Sequence, residues 1–356
     1  MKILFLIPSL RPGGAEKQLI LLSKELAYLG NQVSIGYLND GPLLSEIDKK
    51  NIKIKKIKIF SRKSPLSLFR IILFIAKENP DIVQTFLSYM DLLGGFSSFI
   101  LRKPFILSER CNGPNEEDNK LIIFFKFLIL KLSRSIICNS VPGRNFWKNK
   151  SPNSNVIYIP NIVEKTISKK FKKEFPSSNF KILLLSRFIE RKNCLLSLKV
   201  FCEHQKTHPN TEYILVGEGE TKKDCVSYVK KFSMNPNKFK FEGFRKNIET
   251  YFCESDIFVS LSKSEGTPNA ALEAAAYKCP MFLSNISEHR NIFSSKEAFF
   301  VPLSNYIEIA KFLNKALNSS NLRGKKALKA YNSVVKNNNP RNIALKYLKS
   351  YSESIN

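Results

Sequence analysis

Residues that build metal centres and disulfide frameworks are scarce in this sequence. Its 356 residues include three histidines and seven cysteines, and the cysteines are scattered singly, with no Cys-x-x-Cys pair. Zinc sites need clustered Cys and His ligands, and disulfide-rich domains carry cysteines in even, paired sets. An Asp-x-Asp pair is missing as well. The composition therefore argues against a metal centre and a disulfide framework, and it favours a reduced, cytoplasmic protein.

Long hydrophobic runs are also missing. The most apolar stretch, Leu121–Leu132, has twelve residues, whereas a helix that spans a bilayer needs about 20. It predicts either a buried core helix or a helix whose outer face, with Lys126, Lys131 and Arg134, rests on a membrane surface. The apolar amino terminus is too short for a signal peptide and has no small-residue cleavage site, so residues 2–7 are predicted to form a first strand.

Negative charge is in short supply. The chain has 57 basic and 30 acidic residues, a formal net charge of +27, and the excess is spread over both halves. One interpretation is attraction to anionic lipid or nucleic acid, and the other is a compositional drift toward lysine, asparagine and isoleucine. Neither zinc-finger spacing nor an aromatic ribonucleoprotein string is present, so no nucleic-acid module is predicted. The length suits two domains.

What the chain does have is a repeated alternation of apolar strand-length runs with helix-length segments. This alternation predicts parallel, doubly wound α/β sheets. The polar, Lys-rich segment Lys165–Ser178 contains Pro176 and has the composition of a linker. The chain is therefore predicted to divide near residue 165.

One stretch combines several signals of a ligand site. Ser264–Ala274 follows the apolar run Asp256–Leu261, and Pro268 stands where a helix would begin. Ligands of open α/β sheets bind beyond the carboxyl ends of strands, where the first amides of a helix favour phosphate or sugar oxygens. The carboxylates of Glu265 and Glu273 suit the paired hydroxyls of a sugar. The alternative is that Glu265 caps the helix and Glu273 lies on a solvated face.

A second strand-to-helix junction carries two cations. Arg187 follows the apolar run from Lys181, and Lys192 precedes a predicted helix from Asn193. An Arg fork and a compact Lys charge suit a diphosphate, although ordinary solvated basic residues are the alternative. Near the amino terminus, Gly13-Gly14 follows the first strand and is either a tight turn or an anion-binding loop.

Several of these motifs together resemble one enzyme family. Glu265–Asn269 followed by Leu272–Ala274 resembles the donor-binding signature of the retaining glycosyltransferases of family four (glycosyl transferases group 1). Ser186–Asn193 resembles their Gly-Arg-x-x-x-x-Lys-Gly phosphate motif, and Val216–Gly219 resembles their Val-Gly-x-Gly segment near the nucleotide base. The chain departs from the family at Ser186 and Ile162, where glycine is usual, and it has no His near Arg110.

The resemblance implies the GT-B fold, in which two Rossmann-like doubly wound domains face each other across a cleft. Residues 1–164 would be the acceptor domain, to which helix 340–356 returns, and residues 165–339 the donor domain. The implied reaction moves a sugar, with retention of configuration and without a metal, from a UDP- or GDP-linked donor to a glycan or isoprenoid-linked acceptor. Synthesis of cell-surface polysaccharide or lipid-linked oligosaccharide, peripheral association with an anionic membrane, and no cofactor or nucleic acid are expected.

The resemblance also assigns site residues. The residues carried over as catalytic are Arg187, Lys192 and Glu265. The residues carried over as donor-binding are Gly13, Gly14, Gly217, Gly266, Thr267, Pro268, Asn269 and Glu273. Glu109 and Arg110, at another strand end, are candidates for acceptor contacts, and a Glu–Arg surface pair is the alternative.

Two other functions remain open from the sequence. Sugar-nucleotide epimerases share the fold, and fold does not determine function. A basic module that binds a membrane or nucleic acid without chemistry is the second alternative, but it leaves the Glu265–Glu273 stretch and the two cations unexplained. Release of nucleotide that depends on an acceptor distinguishes a transferase from an epimerase, and strong salt-dependent DNA binding without nucleotide-sugar binding would favour the binding module.

Overall fold

The structure of the chain is a computed structural model, which describes residues 1–59, 64–110, 120–164 and 179–355. The predicted linker at 165–178 and the predicted loop from residue 111 lie outside these ranges. The chain divides into two compact units, the first formed by Met1–Glu164 with Asn338–Asn356 and the second by Lys165–Asn337. Each unit has its own hydrophobic core.

The first unit is built on a seven-stranded sheet. Its strands are β1 (Lys2–Ser9), β2 (Gln32–Asn39), β3 (Ile52–Lys56), β4 (Ile82–Phe86), β5 (Phe105–Glu109), β6 (Ser135–Cys138) and β7 (Val156–Tyr158). All neighbours pair in parallel in the order β3-β2-β1-β4-β5-β6-β7. The helices between strands are α1 (Gly14–Tyr28), α2 (Pro65–Glu78), α3 (Ser88–Ile100), α4 (Lys120–Leu132) and α5 (Val141–Lys150). The predicted doubly wound α/β fold is confirmed.

The second unit repeats this design with a six-stranded sheet. Its strands are β8 (Lys181–Leu185), β9 (Glu212–Val216), β10 (Phe239–Gly243), β11 (Ile257–Ser260), β12 (Met281–Ser284) and β13 (Phe299–Val301). They are parallel in the order β10-β9-β8-β11-β12-β13, which is the order of a Rossmann sheet. Its helices are α6 (Cys194–Gln205), α7 (Lys222–Phe232), α8 (Glu249–Glu254), α9 (Asn269–Ala276), α10 (Ser287–Arg290), α11 (Tyr306–Asn318) and α12 (Ser320–Asn337).

The last helix, α13 (Pro340–Ile355), belongs to the first unit. Ile343, Tyr347 and Tyr351 are buried in the core that contains β1. The Tyr351 hydroxyl donates a hydrogen bond to Oε1 of Gln84 on β4. In the described part of the chain, no helix has the length and apolar character needed to cross a lipid bilayer.

The two faces of the first sheet are covered by different helices. Because side chains alternate along a strand, Ile3, Phe5 and Ile7 of β1 pack on one face, in a core shared with α1 and α13. Leu4 and Leu6 pack on the other face, in a core shared with α2, α3, α4 and α5. The second group of helices therefore forms one layer, whose inner side contacts the sheet.

Candidate functional site

Two loops meet where the strand order of the second sheet reverses. β8 pairs with β9 on one side and with β11 on the other, and ligands of such sheets bind beyond the carboxyl ends of the strands at this reversal. The loop after β8 carries Lys192, and the loop after β11 carries Glu265. Lys192 Nζ lies 2.6 Å from Oε1 and 2.5 Å from Oε2 of Glu265. The structure thus joins two residues that the sequence placed at separate strand ends.

Glu265 is a buried carboxylate with several partners. Its side chain is 4% exposed, and Ser262 Oγ donates a hydrogen bond to Oε1 at 2.6 Å. Its backbone N–H donates to Oε1 of Glu288 at 3.3 Å. Burial alone would raise the pKa of Glu265, but the Lys192 ammonium and the Ser262 hydroxyl outweigh burial, so this pKa lies below its ordinary value. Glu265 is therefore ionised at neutral pH and balances the charge of Lys192.

Polar residues that sequence reasoning missed support this pair from β12 and α10. Ser284 Oγ, at the end of β12, donates to the carbonyl oxygen of Ser262 at 2.7 Å. His289 Nδ1 lies 2.9 Å from the carbonyl oxygen of Ser284, so Nδ1–H is the donor. Because β12 is the neighbour of β11, the rule that ligands bind beyond strand ends would have pointed to these residues as well.

His289 is a neutral ring enclosed beside the Glu265 loop. It is fully buried, and burial lowers its pKa below the ordinary value. With Nδ1 as donor, Nε2 carries the lone pair, and this atom has no hydrogen-bond partner among the residues that the structure describes. The ring therefore supports the Ser284–Ser262–Glu265 chain of hydrogen bonds without adding a charge to it.

The predicted helix after Glu265 is present and begins at Asn269. Pro268 precedes it as the N-cap residue, and the proline side chain itself makes no capping hydrogen bond. The Glu265 carboxylate, which the alternative interpretation assigned to this helix end, contacts Lys192 and Ser262. Gly266, Thr267 and Asn269 are partly exposed at this end of α9, and Glu273 is partly exposed one turn further along it.

The remaining residues predicted for the donor in this unit lie in two loops that pack together. Arg187 is exposed in the loop after β8. Gly217, after β9, has a φ of +136°, and a Cβ there would lie 1.8 Å from the carbonyl oxygen of Ser186. Gly219 approaches the Phe188 carbonyl oxygen in the same way. The structure thus gives these glycines a packing reason, since close backbone contact holds the Arg187 loop against the end of β9.

Gly13 and Gly14 lie at the start of α1, as the N-cap and the first helical residue. A Cβ built on Gly13 would lie 2.2 Å from Oε2 of Glu16. Glu16 is buried in the first turn of α1, where a carboxylate interacts favourably with the positive end of the helix dipole. In this structure the space beside Gly13 is therefore filled by a carboxylate of the protein itself.

The two acceptor-side candidates have internal partners in the first unit. Glu109 is 2% exposed, and its Oε2 accepts hydrogen bonds from Lys126 Nζ at 3.2 Å and Trp147 Nε1 at 2.8 Å. Arg110 is partly exposed and donates to Oδ1 of Asn161 at 3.2 Å and to the Tyr347 hydroxyl at 3.1 Å. Glu109 therefore does not belong to a surface pair.

Of the two interpretations of α4, the one that put Lys126 on an outer face of the helix is wrong for this residue. Lys126 is 3% exposed, and its ammonium lies between Glu109 and Asp91, 3.5 Å from Asp91 Oδ2. Burial raises the pKa of Asp91 to about 6, although Lys126 and Thr85 act in the opposite direction. Three charged groups thus share one buried network, which explains why a lysine occurs in an otherwise apolar inner stripe.

Thiols and metal ligands do not form a further site in the described ranges. In residues 1–59, 64–110, 120–164 and 179–355, no three His, Cys, Asp or Glu side chains gather into a group that could hold a metal ion. Cys194 follows Lys192 closely, but it is buried, and burial raises its pKa to about 12. It is a neutral packing residue.

Two family descriptions match the chain and together cover most of it. "Glycosyltransferase Family 4" matches residues 12–166, and "Glycosyl transferases group 1" matches residues 165–333. The first match, apart from its last two residues, lies in the unit that contains β1–β7, and the second lies in the unit that contains the Lys192–Glu265 pair.

The chain is also similar to named glycosyltransferases in sequence and to a solved structure in fold. The capsular polysaccharide biosynthesis glycosyltransferase CapH of Staphylococcus aureus is 27% identical, with 82% of this chain and 83% of CapH covered. The GalNAc-α-(1→4)-GalNAc-α-(1→3)-diNAcBac-PP-undecaprenol α-1,4-N-acetyl-D-galactosaminyltransferase of Campylobacter jejuni is 22% identical, with 91% and 90% covered. The structure of Anabaena HepE with UDP-glucose is similar in fold, with a TM-score of 0.82, 19% identity and 99% of both chains covered.

Proposed function

We propose that this chain, which belongs to the group 1 (family four) glycosyltransferases of the GT-B fold, transfers a sugar with retention of configuration from a UDP- or GDP-linked donor to an acceptor hydroxyl. The acceptor in this proposal is a glycan or an isoprenoid-linked sugar of cell-surface polysaccharide or lipid-linked oligosaccharide synthesis. The observation that carries the proposal is the Lys192–Glu265 pair at the strand reversal of the second sheet.

The charge of the departing diphosphate is the main chemical demand of this reaction. Lys192 and Arg187 supply positive charge from the loop after β8, and the first amides of α9, at the positive end of the helix dipole, follow the loop after β11. Charge that builds on the leaving oxygen is stabilised most by groups that are already in place, because they need no reorganisation during the reaction. Glu265 holds Lys192 in place before the donor arrives. The proposed reaction proceeds without a metal or cofactor.

The carboxylates recognise the sugars of the donor. Glu265 is 4% exposed and paired with Lys192 and Ser262, so its carboxylate would have to shift to bind hydroxyls of the transferred sugar together with the backbone of Gly266, Thr267 and Asn269. Glu273 binds the paired hydroxyls of the ribose. Pro268 sets the start of α9. Gly217 lets the backbone come close to the nucleotide base of the donor.

The first unit contributes fewer of the proposed substrate contacts. Gly13 and Gly14 remain proposed donor contacts, and Glu16 would have to move aside for a phosphate to reach them. Arg110 has exposed surface and is the proposed acceptor contact. Glu109 is nearly inaccessible and acts through Lys126 and Trp147 instead of touching the acceptor. A lipid-linked acceptor also implies peripheral association with the inner face of the cell membrane.

Loss of the Ser262 hydroxyl is expected to lower kcat/KM partially. Ser262→Ala removes a hydrogen bond to the charged Oε1 of Glu265, which is worth about 1.5–3 kcal/mol, so kcat/KM should fall on the order of tenfold. Initial rates at low donor concentration measure this change. Ser319→Ala, at the exposed end of α11, is the matched control and should leave kcat/KM unchanged. Equal rates for wild type and Ser262→Ala would contradict a role for this hydroxyl.

The reaction class is tested with the full chain and a panel of UDP- and GDP-linked sugars. Nucleotide release that requires an added isoprenoid-diphosphate-linked sugar supports transfer, and the anomeric configuration of the product, read by NMR, tests retention. Conversion of the nucleotide sugar without an acceptor would instead identify an epimerase. If the chain binds vesicles or DNA but none of the nucleotide sugars, the proposal fails.

A further inference from the structure

Three neighbouring helices of the first unit have apolar outer faces. Their exposed apolar side chains include Phe69 and Leu73 on α2, Phe96 and Phe99 on α3, and Phe125 and Leu128 on α4, and each of these six is 41–56% exposed. We name these six residues the outer helical face. Single exposed apolar residues are ordinary on a soluble protein, whereas a contiguous set marks a contact surface for another molecule.

The exposure of these six residues follows from how their helices pack within the first unit. Ile71 of α2 is buried in the core that faces the sheet, and Phe69 and Leu73, two residues before and after it, lie on the opposite side of that helix. On α4 the residues Ile129 and Leu130 are buried in the same core, and Phe125 and Leu128 lie beside this buried stripe with about half of their surface exposed. On α3, a Cβ at Gly94 would lie 2.8 Å from Leu6 of the sheet. A Cβ at Gly95 would lie 2.7 Å from Ile129, so these glycines seat α3 close to both the sheet and α4.

The charge on these helices has one sign where it is exposed. α2, α3 and α4 contain two acidic residues, Glu78 and Asp91, and both side chains are at most 4% exposed and paired with lysines. Lys77 near the end of α2 and Lys131 near the end of α4 are exposed. Exposed Arg102 and Arg134 follow α3 and α4, so the outer helical face is bordered by cations. The acidic residues 116–118, which precede α4, lie outside the described residues.

We propose that the outer helical face is a docking surface for an anionic lipid bilayer. Aromatic and aliphatic side chains flanked by basic residues bind the boundary between headgroups and acyl chains, and anionic lipids strengthen the binding. A second copy of the chain fits less well, because two molecules that each carry a net charge of +27 would bring like charges together around this face. The docking surface deepens the proposed function, since it places the first unit beside an acceptor carried in a membrane.

Flotation with vesicles tests the docking surface directly. The full chain should float with vesicles of phosphatidylcholine mixed with phosphatidylglycerol and should float poorly with phosphatidylcholine alone. A triple variant that removes one aromatic residue from each helix should lose at least about tenfold in partitioning; its substitutions are Phe69→Ser, Phe99→Ser and Phe125→Ser. Added salt should weaken the binding of the wild type.

A control variant replaces three large hydrophobic residues of similar exposure in the second unit. Three residues of α7, α11 and α12 are 50–51% exposed, and their replacement should leave flotation unchanged; the substitutions are Phe232→Ser, Phe312→Ser and Leu328→Ser. The cationic border is tested separately, because Lys131→Ser and Arg134→Ser should each weaken binding to anionic vesicles about fivefold.

The outcomes separate docking from catalysis. If the wild type does not float with anionic vesicles, or if both triple variants float equally, the docking surface is refuted whatever the enzyme does. Sedimentation that shows a dimer abolished only by the first triple variant would assign the face to a second copy and also refute it. Nucleotide-induced thermal stabilisation should be the same in all three proteins, so its absence throughout would instead count against the proposed donor site.

Discussion

Lys192→Ala is expected to lower turnover on the order of 100-fold, the effect of removing one preorganised group that stabilises a developing negative charge. Lys192 is the cation that the structure fixes most firmly at the strand reversal, since its ammonium contacts both oxygens of Glu265. Its side chain is 19% exposed, so a ligand in the loop region can reach it. The variant also leaves the Glu265 carboxylate buried without its ion partner, which would raise the pKa of Glu265.

Steady-state rates at saturating donor measure this effect, and thermal melting checks that the variant is folded. Lys206→Ala is the matched control, because Lys206 is also ion-paired, to Glu203, but is 59% exposed on another helix end. It should retain full activity. A folded Lys192→Ala enzyme with turnover close to wild type would remove Lys192 from the reaction.

Glu273→Ala is expected to lower kcat/KM by about 100-fold. A carboxylate that accepts hydrogen bonds from two ribose hydroxyls makes two charge-assisted bonds, each worth about 1.5–3 kcal/mol, and a loss of about 3 kcal/mol corresponds to about 100-fold. Glu273 is partly exposed on α9, in the unit that carries the Lys192–Glu265 pair. The loss should appear mainly as a higher KM for the donor.

A deoxyribose donor isolates the contact. The wild type should discriminate strongly against the 2′-deoxy nucleotide sugar, whereas Glu273→Ala should treat both donors alike. Glu308→Ala, an exposed glutamate in the first turn of α11, is the control and should behave like wild type. Unchanged discrimination in Glu273→Ala would show that another group holds the ribose.

The sequence was most informative where a strand, a loop and a helix follow one another directly. The apolar run before Ser262 and the proline at position 268 predicted β11, its loop and α9, and the structure contains all three. These features depend on nearby residues, so local patterns suffice. α7 and β13 are among the elements that were not predicted. The apolar residues of α7 (Cys225, Tyr228, Val229 and Phe232) follow a helical period, so this helix could have been recognised from the sequence, whereas β13 has only three residues and no periodic pattern.

Contacts between distant segments were harder to predict. The contact of Lys192 with Glu265 forms because β8 lies beside β11. The local sequences of these two strands do not determine that they are neighbours in the sheet. Lys126 shows the same limit. On its own helix it looks like a surface lysine, but Glu109 and Asp91, from β5 and α3, supply the charges that allow it to be buried. Serines 262 and 284 became recognisable only once β11 and β12 were neighbours.

Titration calorimetry of the full chain with a nucleoside diphosphate and the matching monophosphate tests the central claim most directly. If Lys192 receives the diphosphate of a sugar donor, the wild type should bind the diphosphate at least about tenfold more tightly, and Lys192→Ala should lose that preference while Lys206→Ala keeps it. Two results would contradict the account. One is that the wild type binds diphosphate and monophosphate equally well, both with uridine and with guanosine nucleotides. The other is that Lys192→Ala still prefers the diphosphate.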